Sequence, residues 1–134
     1  GEGKELKKYQ KFINQNNMSN VIIMPYQNRE KLFKILKCCD VFISLAKEDI
    51  YGQTIIEALA NGLPVIASNK INSALEYIKD DFNGYLADLE NISMVSKFIE
   101  KTKDLQRKNS IFSVKSLSIE VSAKTIYDVL SKGI

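Results

Sequence analysis

Short apolar runs, separated by segments of helical period, constrain the fold of this chain more than any other feature. Val21-Ile22-Ile23-Met24, Val41-Phe42-Ile43-Ser44-Leu45 and Pro64-Val65-Ile66-Ala67 are three of them, and Tyr85-Leu86 starts a fourth. Each is apolar along its length, as expected of a strand buried on both faces. Before, between and after them the pattern predicts helices over 2–17, 29–38, 52–60, 72–79, 92–107 and 116–131. Leu6, Tyr9 and Ile13 recur at helical spacing in the first, and Leu32, Ile35 and Leu36 in the second. The punctuation agrees. Asn28 stands where a helix N-cap is wanted, Asn61-Gly62 where a helix ends, and Asn83-Gly84 at a turn. Pro64 opens a strand, where its missing N–H is tolerated. Strand and helix in alternation predict a parallel sheet covered on both faces, a doubly wound α/β fold. Arg107-Lys108-Asn109-Ser110 is the nearest thing to a linker.

At 134 residues the chain suits one domain, and 45% hydrophobic with 26% charged residues excludes general disorder. The net charge of +3 fits a small anionic ligand or a loose preference for acidic membranes, and falls far short of a nucleic-acid binder. There is no histidine, which rules out a His–Cys metal site or a Ser–His triad within the chain. Cys38 and Cys39 are adjacent, a strained geometry for a disulfide, and are expected as reduced thiols, at least one buried, in a cytoplasmic protein. No apolar run approaches the roughly 18 residues of a membrane span, and no signal peptide is visible. The start at Gly1-Glu2-Gly3 suggests a piece of something longer.

In open parallel sheets, ligands bind beyond the carboxyl ends of the strands. Pro25–Asn28, Leu45–Gly52, Ser68–Asn72 and Ala87–Glu90 are expected there. The second of these leads into "AKEDIYGQTIIEALANGLPVIAS", residues 46–68. Gly52 lets the backbone approach a ligand. The N–H groups of Gln53, Thr54 and Ile55 open a helix without internal partners, an anion site suited to a diphosphate. Gln53, Thr54 and Glu57 share a helix face, while Ile55, Ile56 and Leu59 take the buried side. Glu57 can accept two hydrogen bonds from a vicinal diol such as a ribose, and Asp49 can hold another hydroxylated group. The spacing alone equally fits a solvated helix glutamate and a turn aspartate. Lys70, near the same rim, reads as a solvated loop lysine, with the phosphates as the other candidate role.

This segment resembles the donor site of GT-B glycosyltransferases, in particular the large retaining family 4 (group 1). The likeness rests on Asp49, Tyr51-Gly52, Glu57-Ala58 and Gly62-Leu63-Pro64-Val65. It continues in order through Gly1-Glu2-Gly3, Val21 to Tyr26, Cys39-Asp40-Val41-Phe42-Ile43, Asn83-Gly84-Tyr85-Leu86 and the tail Ser118 to Tyr127. The resemblance implies that Glu57 binds the ribose hydroxyls and that the backbone at Gly52, Gln53 and Thr54 holds the diphosphate. It implies that Asp49 contacts the transferred sugar. Most members carry glutamate there, so Glu48 is a second candidate for this catalytic position. Tyr26 becomes a candidate to stack on the base, with a packed loop aromatic as the alternative. Glu76 is read as structural.

The implied reaction moves a sugar from a nucleotide-diphosphate sugar, of UDP or GDP type, to a hydroxyl acceptor with retention, in polysaccharide, lipopolysaccharide or glycolipid synthesis. No metal and no cofactor beyond the donor are implied. Residues 1–134 are expected to be the C-terminal donor-binding domain, lacking its first two strands and the N-terminal acceptor domain, and inactive alone. The implied location is the cytoplasm, at the inner face of the membrane for a sugar or lipid-linked acceptor. Three rivals remain: a sugar-nucleotide epimerase relative, a non-catalytic GT-B-like binding or assembly module, and a dinucleotide oxidoreductase. The last is weak, because Leu6 stands where Gly-x-Gly-x-x-Gly needs its third glycine.

Overall fold

The computed structural model describes residues 3–91 and 93–124, in two compact units that divide between Lys34 and Ile35. The first unit holds α1 (Leu6–Gln15) and the start of α2 (Arg29–Lys37). α1 is shorter than the sequence predicts. Asn17 takes a left-handed conformation (φ 50°), and the N–H groups of Asn17 and Met18 turn back to the carbonyls of Asn14 and Ile13. That pattern closes a helix C-terminus. Asn28 caps α2 as expected: its Oδ1 accepts the Lys31 N–H at 2.9 Å.

Val21–Met24 departs from expectation. It is not a strand, and Ile22 is 81% exposed. An apolar run becomes a strand only where a neighbour supplies backbone partners, and among the described residues none pairs with it as a sheet. Pro25–Asn28 therefore does not follow a strand.

The second unit carries the sheet. β1 (Phe42–Ser44), β2 (Val65–Ser68) and β3 (Gly84–Ala87) are parallel, in the order β1-β2-β3. Phe42 aligns with Val65, and Val65 with Gly84. All four residues of β2 are buried, so the central strand is covered on both faces, as its unbroken apolar run requires. Ile66 packs with Tyr85, Ala87, Val95 and Phe98, the last two from α5 (Ser93–Thr102). Phe98 stacks on Tyr85 with ring centroids 4.7 Å apart. By the strand period of two, Val65 and Ala67 face the other way. α3 (Gln53–Ala60) buries Ile55, Ala58 and Leu59, and it packs on β1, β2, α4 (Asn72–Tyr77) and α6 (Arg107–Ser113). It ends as predicted, with Gly62 left-handed and the N–H groups of Gly62 and Leu63 bonded to Leu59 and Ala58. The arrangement is a Rossmann-like α/β half of the doubly wound kind.

The C-terminal helices differ from the pattern read in the sequence. The predicted helix over 92–107 stops at Thr102, whose hydroxyl donates to the Ile99 carbonyl at 2.7 Å. Lys103, Asp104 and Leu105 then bond three residues back, which tightens and ends the turn. Arg107–Ser110 is no linker but the start of α6. Arg107 Nη1 donates to the Cys39 carbonyl at 3.0 Å, Asn109 Nδ2 donates to the Phe82 carbonyl at 3.0 Å, and Ser110 is fully buried. A 3-10 turn (Lys115–Leu117) follows, and residues 119–124 are helical. The remainder of the predicted helix over 116–131 lies outside the described residues. Neither cysteine is buried, contrary to expectation: Cys38 is exposed, and Cys39 is half-buried with its thiol donating to the Ile35 carbonyl.

Asn83 secures the turn into β3. It is fully buried; its Oδ1 accepts the Lys79 N–H and its Nδ2 donates to the Tyr77 carbonyl, both at 2.8 Å. Replacing it with alanine leaves two part-buried backbone groups without these partners. Asn83→Ala is expected to lower the unfolding free energy by about 2–3 kcal/mol, measured by urea denaturation.

Candidate functional site

Parallel pairing brings the loops after β1 and β2 to one end of the sheet, and four links, two of them from side chains, join them there. Asp49 forms an isolated parallel bridge with Ile71. Asn72 Nδ2 donates to the Ile50 carbonyl at 2.9 Å. Ser73 donates twice, from its N–H to the Tyr51 carbonyl and from its hydroxyl to the Gly52 carbonyl, each at 2.9 Å.

Gly52 is the pivot. It is buried, stands in the N-cap position of α3 and is left-handed, at φ 82° and ψ 47°. A Cβ there would run into Ile71 Cγ2 and Ser73 Oγ, so both conformation and space demand glycine. The Asp49 carboxylate holds the turn: its Oδ1 accepts the N–H of Tyr51 at 3.1 Å and of Gly52 at 2.7 Å. This is the turn an aspartate side chain makes with its own following backbone. Asp49 is thus committed to the loop through one carboxylate oxygen.

The other predicted residues lie around this pivot. Gln53 and Thr54 are exposed in the first turn of α3, while the Ile55 N–H bonds to the Gly52 carbonyl. Glu57 is half-buried one turn further along. Glu48 is exposed and, with Asp49, Ile50 and Lys70, lines an open, shallow depression. Lys70 brings the cation of that depression. The Ser68 hydroxyl, at the end of β2, accepts the Lys70 N–H at 3.1 Å and shapes the second loop. Tyr26 belongs to the first unit and is 78% exposed there. Glu76 hydrogen-bonds the Tyr77 hydroxyl; that bond, burial and the neighbouring Tyr51 hold the phenol well above its usual range.

Asn72 and Ser73 carried no role in the sequence reading. An Asn-Ser pair at a helix start usually caps its own helix. Here both side chains reach across to the other loop, a use that only the tertiary pairing reveals. Among the described residues no cluster of three metal-ligating side chains occurs, and no helix is long and apolar enough to cross a membrane.

A left-handed glycine opening a helix at the carboxyl end of a parallel sheet can present backbone N–H groups to an anion, flanked by carboxylates that accept from hydroxyls. The family model described as "Glycosyl transferases group 1" matches residues 1–119. An uncharacterized glycosyltransferase of Methanocaldococcus jannaschii is 26% identical over 91 residues, covering 68% of this chain and 26% of that protein. The GtfA subunit of a Streptococcus agalactiae UDP-N-acetylglucosamine–peptide N-acetylglucosaminyltransferase is 32% identical over 91 residues, covering 67% of this chain and 17% of that protein. An Escherichia coli UDP-Gal:alpha-D-GlcNAc-diphosphoundecaprenol alpha-1,3-galactosyltransferase is 31% identical over 98 residues, covering 72% and 24%. The chain spans about a quarter or less of the length of these relatives. It belongs to the glycosyl transferases group 1 family, as a GT-B-type domain.

Proposed function

We propose that this chain is the C-terminal, donor-binding domain of a glycosyltransferase that moves a sugar from a nucleotide-diphosphate sugar to a hydroxyl acceptor with retention. The observation that carries the reading is Gly52, left-handed at the head of α3, with Glu57 one turn beyond it. UDP is the favoured nucleotide, since two relatives are named for UDP-sugar donors. A lipid-linked saccharide, presented at the inner face of the membrane in cell-envelope glycan synthesis, is the favoured acceptor, on the name of the Escherichia coli relative.

In this reading the N–H groups of Gln53 and Thr54 face the diphosphate. Backbone dipoles and the helix N-terminus stabilise negative charge as the nucleoside diphosphate leaves, and no resident metal is required. Glu57 accepts from the ribose hydroxyls. Between the two acidic candidates for the sugar, Glu48 is preferred, because Asp49 already accepts two loop N–H groups and Glu48 lines the open depression with Lys70. The site for the acceptor would be supplied by another part of the protein.

Calorimetric titration of the intact protein with UDP, GDP and ADP tests the donor site. Glu57→Ala is expected to weaken binding by about 1.5–3 kcal/mol, the worth of hydrogen bonds to a charged group. Unchanged affinity would return Glu57 to a solvated helix position. The acidic pair separates by a second comparison. Glu48→Gln is expected to reduce kcat about tenfold or more while leaving the melting temperature unchanged. Asp49→Ala is expected to cost about 1–2 kcal/mol of stability, through the loss of two charge-assisted bonds to backbone N–H groups. The reverse pattern would assign the sugar contact to Asp49.

A further inference from the structure

Ser73 lies outside every role considered so far, yet it holds the two peptide planes on which the candidate diphosphate site is built. A peptide unit is planar and trans, so its C=O and its N–H point in opposite directions as one rigid body. The Ser73 N–H takes the Tyr51 carbonyl, whose plane also carries the Gly52 N–H. The Ser73 hydroxyl takes the Gly52 carbonyl, whose plane also carries the Gln53 N–H. The first plane is pinned on its other side by Asp49 Oδ1. The second has its N–H at the open start of α3. Ser73 is itself 0% exposed and sits 21 residues away on α4, which packs against α3.

We propose that Ser73 is a positioning residue for the donor diphosphate: its hydroxyl fixes the direction of the Gln53 N–H without touching the ligand. The proposal rests on the donor-site reading above. Its physical content is specific. Gly52 has the widest conformational freedom of any residue, and its left-handed form is one choice among several. Asp49 restrains only the plane before it. Without the Ser73 hydroxyl, the plane after Gly52 is held only by bonds within the first turn of the helix, such as that from the Ile55 N–H. Helix first turns are where fraying concentrates. Asn72 backs the latch from the exposed side through Ile50.

The test uses the intact protein and calorimetry with UDP, GDP and ADP, each set against its nucleoside. Ser73→Ala is expected to weaken the bound diphosphate about tenfold, the effect of losing one orienting hydrogen bond, while nucleoside affinity stays the same. Hydrogen exchange without ligand is expected to quicken at Ile55, whose N–H bonds to the Gly52 carbonyl, relative to the rest of α3. Equal diphosphate affinity in wild type and Ser73→Ala overturns the proposal, as does an equal loss for diphosphate and nucleoside, which marks a general structural role. If Ser73→Ala does not fold, Asn72→Ala carries the test, since it removes only an exposed bond. A smaller loss confined to the diphosphate supports the latch, and no loss overturns it. Wild-type protein that binds none of the three nucleotides defeats the donor-site reading and the latch with it; wild-type binding that survives Ser73→Ala defeats the latch alone.

Discussion

The backbone at Gly52 is the constraint on which the rest of the site depends. β1 and β2 run parallel, so their loops emerge at one end and compete for the same space. The register that aligns Ser44 with Ala67 has slipped by one residue where Asp49 meets Ile71. Between those two pairings the first loop therefore carries one more residue than the second, and it turns sharply at Gly52 to enter α3. Only a left-handed residue makes that turn, and only glycine fits against Ile71 and Ser73. The burial of Ile55, Ala58 and Leu59 then fixes α3 on the sheet. Packing sets where the helix lies; the Gly52 peptides set where its first N–H groups aim.

That geometry assigns the carboxylates different work. Asp49 offsets part of the positive end of α3 itself, because its Oδ1 sits on the Gly52 N–H. Had both Asp49 and Glu48 been directed at the helix start, their charge would oppose an incoming anion. Glu48 instead lines the open depression with Lys70, and Glu57 lies half-buried in the second turn of α3. A helix terminus contributes about half an elementary charge, which alone holds a diphosphate only weakly in water. Binding by such a site depends on direction and enclosure more than on net charge, which is +3 for the chain.

Much of this was legible in the sequence, for identifiable reasons. β1, β2 and β3 were readable because strands covered on both faces need unbroken apolar runs, and α3 because Gly52 and Asn61-Gly62 bracket an amphipathic octet. The Asn28 cap and the Asn83-Gly84 turn are local, short-range chemistry, which sequence records well. What failed depended on partners far along the chain. Val21–Met24 has the composition of a strand, but pairing is a property of two segments. Arg107–Ser110 has the polarity of a linker, but Arg107 and Asn109 spend it on carbonyls at Cys39 and Phe82. Thr102 ended a helix that periodicity would have continued. Ser73 is the same lesson at the site: its tasks belong to a loop 21 residues earlier.

The adjacency of Glu48 and Asp49 follows from the reach of the two side chains. An aspartate carboxylate is short enough to fold back onto the N–H groups two and three residues ahead, and Asp49 does so at Tyr51 and Gly52. A glutamate has one more methylene and makes no comparably tight turn, so in that place it would leave the loop unheld and its own charge free. Placing the aspartate in the turn and the glutamate just before it lets one carboxylate build the loop while its neighbour stays available at the rim. On the other side, Glu57 lies four residues beyond Gln53, about 6 Å along the helix axis. One helical turn thus separates the N–H groups that would face phosphate from the carboxylate that would face a sugar. In the proposed site that rise sets the span the donor must bridge, and a nucleoside without its phosphates would reach Glu57 but leave the first turn of α3 unanswered.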